Sequence, residues 1–187
     1  MDLGVIFVGH SVSSVIGMLA SVQSPNYFEK LILVSPSPCY INDPINNYIG
    51  GFERRDIEDL LDIMEKNYIG WASFLAPMVM KNEDQPELSQ ELEASFCSTD
   101  PLIANCFAQA TFYSDNRSDL ANVTIPSLIL QCAEDAIAPT EVGDYLHCHL
   151  FNSTLRLMKA TGHCPHMSHS AETIHLIQEF LRKIPNT

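Results

Sequence analysis

The chain has 187 residues, enough to bury a core, and length alone points to one domain or one domain carrying an insertion. Its 23 acidic against 10 basic side chains leave a formal net charge of −13, which argues against nucleic acid or anionic membrane as partners, because phosphate demands the opposite sign. No apolar run is long enough to span a bilayer and no signal-peptide pattern opens the chain, so the six scattered cysteines read as reduced thiols of a cytoplasmic protein.

In chain order, the apolar run Val5-Ile6-Phe7-Val8 predicts a buried strand, and Gly9-His10-Ser11-Val12-Ser13 follows it at once. A helix comes next, with Val12, Val15, Ile16 and Leu19 on one stripe and Pro25 closing the segment. A strand that runs into G-x-S-x-small and then a helix is the nucleophile elbow of an α/β-hydrolase. The turn is so tight that the serine's neighbours must be small, and it lifts the hydroxyl above the sheet. Ser13 stands where the usual pattern has a second glycine, and His10 is expected to pack beside the nucleophile. Leu31-Ile32-Leu33-Val34 predicts the next strand, which ends at Ser35-Pro36-Ser37-Pro38.

Residues 41–114 turn helical. Ile57, Leu60, Leu61 and Met64 share one stripe, Trp71 to Met80 is apolar almost all round, and two more helices are expected near Glu87–Phe96 and Pro101–Phe112. Helices inserted between strands at the C-terminal face form a lid. Most of its aromatic residues are expected to pack lid onto core, with Trp71, Phe74 and Phe112 as the candidate pocket wall. That wall favours a small, mostly apolar ester or lactone.

Residues 115–187 return to strand and helix. Leu128–Cys132 predicts a buried strand followed by Glu134-Asp135, and Leu155–Met158 a shorter one followed by Gly162-His163. In this fold the order is Ser, then Asp or Glu, then His, each on a loop after a strand. Ser11, an acid and His163 therefore form a candidate triad, in which His163 moves the Ser11 proton and the acid fixes its tautomer. Either Asp135 or Glu134 can fill the acid role. Val12, immediately after the nucleophile, offers its backbone N–H to the oxyanion. His163, His166 and His169 with Cys164 invite a zinc reading, but Pro165 interrupts them and neither H-E-x-x-H nor paired C-x-x-C is present, so no metal is expected. His147-Cys148-His149 reads as a helix end.

Several longer stretches resemble one group of α/β-hydrolases: Val8 to Ser13, Ile16 to Ser21, Ser35 to Tyr40, Gly50 to Glu53, Met64 to Ala72 and Gly162 to His169. The group is the RsbQ-type hydrolases, which are also similar to plant karrikin and strigolactone receptor hydrolases. Asp135-Ala136-Ile137-Ala138-Pro139 matches the family's post-strand loop and selects Asp135 as the acid. The resemblance implies a triad of Ser11, Asp135 and His163, a four-helix lid over an apolar pocket and no cofactor. It also implies positive regulation of the sigma-B stress response together with a PAS-domain serine/threonine phosphatase.

Members of the group place several strands and a helix ahead of the elbow strand, whereas here the chain starts at Met1. The expectation is the C-terminal portion of the fold: about four parallel strands flanked by helices, residues 1–40 and 115–187 as core and 41–114 as lid. The elbow strand would then have an unpaired edge, and Val12 would be the one backbone oxyanion donor. Losing a second donor typically costs about a hundred- to a thousandfold in turnover. A catalytic hydrolase, a binding and signalling module that makes no use of its triad, and an inactive fragment are the competing readings.

Overall fold

The computed structural model describes residues 4–182. Four strands, β1 (Val5–His10), β2 (Phe28–Val34), β3 (Ser127–Glu134) and β4 (Ser153–Thr161), form a parallel sheet in the order β1-β2-β3-β4. Helix α1 (Val12–Gln23) connects β1 to β2. Helices α2 (Arg54–Lys66), α3 (Tyr68–Met80), α4 (Pro86–Cys97) and α5 (Pro101–Phe112) lie between β2 and β3. Helix α6 (Thr140–His149) connects β3 to β4, and a single turn α7 (Pro165–Ser168) leads into α8 (Ser170–Arg182).

The two inner strands read as unbroken apolar runs because both of their faces are covered. Leu31, Leu33 and Ile129 pack with Val15 and Met18 of α1 and Val142 and Leu146 of α6. On the other face Ile32, Val34, Leu128 and Leu130 pack with Met158 and with Leu176, Ile177 and Phe180 of α8. Side chains alternate between these two layers with the period of two that an extended chain imposes.

Strand β1 differs from its expected burial. It is the edge of the sheet, with Val5, Ile6 and Val8 exposed and Phe7 turned toward α1 and β2. The stripe on α1 is also rotated from the expected one: Ser14, Val15, Gly17, Met18 and Ser21 are buried, while Ile16 is exposed. Small residues let the helix approach the sheet, and apolar spacing alone did not show which face they occupied.

The helices between β2 and β3 build an apolar cluster that also takes in Tyr40, Ile137 and Cys164. Ile57, Leu61 and Met64 of α2 meet Trp71, Ala72, Leu75 and Val79 of α3 and Ala108 of α5. Glu53 and Asp56 cap α2 reciprocally, each side chain accepting from the other's backbone N–H, and the Asn67 side chain caps α3 through Gly70 N–H. Among the described residues no helix is long and apolar enough to cross a membrane.

Candidate active site

Ser11 occupies the one-residue turn between β1 and α1 with φ of 55° and ψ of −126°, the strained backbone of a nucleophile elbow. Its N–H donates to the Val34 carbonyl at 2.8 Å, tying the elbow to the end of β2. A Cβ on Gly9 would lie 2.7 Å from the Ser14 nitrogen, so only glycine fits before the turn. Ser13 supplies what a glycine would not. Its hydroxyl donates to the His10 carbonyl at 2.7 Å and accepts from the His10 N–H at 2.8 Å, clamping the turn from inside.

His163 Nε2 lies 2.8 Å from Ser11 Oγ, and His163 Nδ1 lies 2.8 and 3.0 Å from the two Asp135 oxygens. The Asp135 side chain is fully buried, and its Oδ1 also accepts the N–H groups of Ile137 and Ala138 at 2.8 and 3.1 Å. A carboxylate held this way accepts the Nδ1 proton, which leaves Nε2 bare to receive the proton of Ser11. Glu134 points elsewhere: it pairs with Lys81 at 2.7 Å on the surface. Between the two carboxylates, Asp135 is the one that reaches His163.

The histidine loop is held by the lid as well as by the sheet. Gly162 N–H donates to the Glu134 carbonyl and His163 N–H to the Val79 carbonyl, each at 2.8 Å. Gly162 has φ of 77°, and a Cβ there would run into the Met80 carbonyl.

His10 lies under the same loop. Its Nε2 is 2.7 Å from the His163 carbonyl, which can only accept, so the proton sits on Nε2. Its ring centroid is 4.9 Å from that of His163 and 4.5 Å from that of His166. Burial, followed by the nearby His163 charge, pushes the His10 pKa down to about 3 and lowers that of His166. Among the described residues no three His, Cys, Asp or Glu side chains converge as a metal set. His169 Nδ1 instead meets the Ser168 hydroxyl, while His147 and His149, in the last turn of α6, bond to Ser153 and to the Tyr145 carbonyl. Burial raises the Cys164 thiol to about 12, so it is a neutral part of the wall.

A cavity of about 680 Å³ opens above Ser11 under the lid, bounded by Trp71 and Leu75 of α3, Phe96 of α4, and Phe107 and Phe112 of α5. Val12 lines it too, and as the first residue of α1 its N–H has no acceptor within the helix. Trp71 and Phe112, both candidate wall residues, line this cavity. Phe74 does not: it is 61% exposed on the outer side of α3 and lines no part of the cavity. The inward face of that helix carries Trp71, Ala72, Leu75 and Val79, and a segment apolar almost all round gave no sign of which side faced in.

Tyr40 escaped the sequence reading. Its ring is 1% exposed, packs edge-on against Phe112 and lines the cavity, and its hydroxyl is 3.3 Å from Ser11 Oγ. The available signal was its place just past the C-terminal end of β2, the strand that pairs with the elbow strand.

Residues 2–176 match the family model described as the Alpha/beta hydrolase family. Over 164 residues the chain is 42% identical to a probable esterase of Oryza sativa subsp. japonica, covering 87% of this chain and 60% of the relative. A strigolactone esterase of Arabidopsis thaliana is 36% identical over 178 residues, 95% of this chain and 64% of its own length. Among solved structures, a hydrolase from Oleispira antarctica superposes with a TM-score of 0.91 at 46% identity, over 97% of this chain and 66% of that one. The chain thus spans about three fifths of the length of the curated relatives it matches. With the elbow, the hydrogen-bonded Ser11, His163 and Asp135, and a family match running nearly end to end, the chain belongs to the α/β-hydrolase family.

Proposed function

We propose that the protein is a serine hydrolase of esterase type that cleaves or senses a small, mostly apolar ester or lactone through an acyl group carried on Ser11. The observation that carries this reading is the hydrogen-bonded line Ser11–His163–Asp135 beneath a largely apolar cavity. His163 takes the Ser11 proton as Oγ attacks the ester carbon, then returns it to the departing alkoxide. Asp135, fixed by two backbone N–H groups, keeps Nε2 bare and stabilises the imidazolium. Val12, the residue after Ser11, donates its backbone N–H to the oxyanion.

The regulatory part of the reading rests on the motifs shared with the RsbQ-type hydrolases. On that basis the protein acts in the cytoplasm as a positive regulator of the sigma-B stress response, together with a PAS-domain serine/threonine phosphatase. Relatives named as karrikin receptors and strigolactone esterases support a link between this scaffold and signalling.

A fluorophosphonate probe, read by peptide mass, tests the chemistry: heat-sensitive labelling at Ser11 and none in Ser11→Ala is expected. An unlabelled but cooperatively folded chain would leave only the binding-module reading. Stress signalling that survives Ser11→Ala would sink the catalytic account of regulation.

A further inference from the structure

Among the described residues, two side chains meet the Ser11 hydroxyl: His163 through Nε2 at 2.8 Å and Tyr40 through its own hydroxyl at 3.3 Å. A serine hydroxyl has one proton. Since Asp135 holds the His163 proton on Nδ1, the Ser11 proton lies on the line to Nε2, and Oγ has only lone pairs left for Tyr40. The phenol is therefore the donor. Burial pushes its pKa up to about 12, so it keeps that proton at working pH. The ring is locked by its edge-on contact with Phe112, with centroids 5.3 Å apart.

We propose that Tyr40 is a catalytic residue of the second half-reaction, its hydroxyl donating to Ser11 Oγ as that oxygen leaves the acyl-enzyme. The proposal rests on the reading of Ser11 as an acylated nucleophile. In the free enzyme Oγ is a hydroxyl oxygen and accepts well. In the acyl-enzyme it is the alkoxy oxygen of an ester, its lone pair drawn into the carbonyl, and it accepts poorly.

Deacylation reverses this. Water attacks the acyl carbon and gives a proton to His163 Nε2. The C–Oγ bond then breaks with its electron pair going to Oγ, and the imidazolium proton moves from Nε2 to Oγ. Tyr40 keeps its own proton throughout and regains, as the C–Oγ bond breaks, the bond it makes to the free serine at 3.3 Å. Only a contact stronger in the transition state than in the preceding state lowers a barrier. Tyr40 thus stabilises free serine and both transition states against the acyl-enzyme, so it speeds deacylation and leaves acylation nearly unchanged.

Stopped-flow hydrolysis of p-nitrophenyl acetate by the full chain separates the two steps. In Tyr40→Phe the burst rate is expected to stay within about twofold while steady-state turnover falls about tenfold, the worth of one lost hydrogen bond, with acyl-Ser11 accumulating by mass. Equal slowing of both steps, or unchanged turnover, would overturn the proposal. Uniform 3-fluorotyrosine labelling keeps the ring and sharpens the donor, so it tests the idea even if Tyr40→Phe folds poorly. Faster deacylation at an unchanged burst rate is expected, and an unchanged deacylation rate counts against Tyr40. A wild-type chain that never carries an acyl group overturns the hydrolase reading and this proposal together. An acylated wild type with an indifferent Tyr40→Phe overturns this proposal alone.

Discussion

His10 Nε2–H donates to the carbonyl of His163 at 2.7 Å, so the residue before Ser11 holds the residue that meets the Ser11 hydroxyl. The two are 153 positions apart in the chain and meet only because β1 and β4 end at the same face of the sheet. Ser13 fixes the His10 backbone on one side, and the His166 ring packs against its ring at a tilt on the other. His10 is thus a positioning residue, acting on the chemistry through His163.

A glutamine amide nitrogen can reach the place of Nε2, whereas an asparagine amide matches Nδ1. His10→Gln is therefore expected to keep turnover within about threefold, while His10→Asn and His10→Ala lose about tenfold with KM unchanged. Steady-state kinetics with one activated ester checks this. Equal rates for Gln and Asn would mean that the bond to His163 does not position the loop.

The same ring makes the fold sensitive to acid. Burial and the neighbouring His163 bring the His10 pKa from its ordinary 6.5 to about 3, and His166 moves in the same direction. The unfolded chain then binds more protons than the native one, so stability is full above about 6.5 and declines as pH falls toward the native value. His163, His166 and Asp135 face the ring, and Asp135 opposes the shift only weakly. Urea midpoints at pH 7, 5 and 4 should fall in wild type and fall less steeply in His10→Gln. Parallel slopes would remove His10 as the cause.

How much of this was legible in the sequence depends on the physical origin of each feature. β2 and β3 were plain because burial on both faces demands uninterrupted apolar runs, and the triad loops followed from strand ends. The sides of α1 and α3 were not. Ile16 and Phe74 are as apolar as their buried neighbours, and only packing against β1 or α4 decides which ones face in. The contacts of Tyr40 and His10 were hidden for another reason. Those of Tyr40 arise from sheet register, in which His10 pairs with Val34 and so brings the residues after β2 beside the elbow, and those of His10 from the loop that leaves β4.

The choice between the adjacent carboxylates yields a direct contrast. Asp135→Asn keeps the shape but offers an amide where Nδ1–H needs an acceptor, favouring the wrong tautomer, and should lower kcat on the order of 10⁴-fold. Glu134→Gln removes only the surface pair with Lys81, which is worth about 0–1 kcal/mol, and should leave kcat unchanged. Comparable losses in the two variants would contradict the assignment of the acid.

Gly162 couples the lid to His163. Its positive φ lets the chain leave β4 and turn at once, so that His163 N–H reaches the Val79 carbonyl near the end of α3. An alanine there meets two penalties: the left-handed backbone and the collision of its Cβ with the Met80 carbonyl. Together they should cost about 2–5 kcal/mol of stability. Strain that separates α3 from the loop also withdraws His163 from Ser11, so kcat should fall before global unfolding begins. Thermal melts run beside activity assays test this in Gly162→Ala: activity lost at temperatures where the far-UV signal is still native is the expected sign. A variant whose activity and structure disappear together would show that the lid grips the fold as a whole, with no separate hold on the histidine.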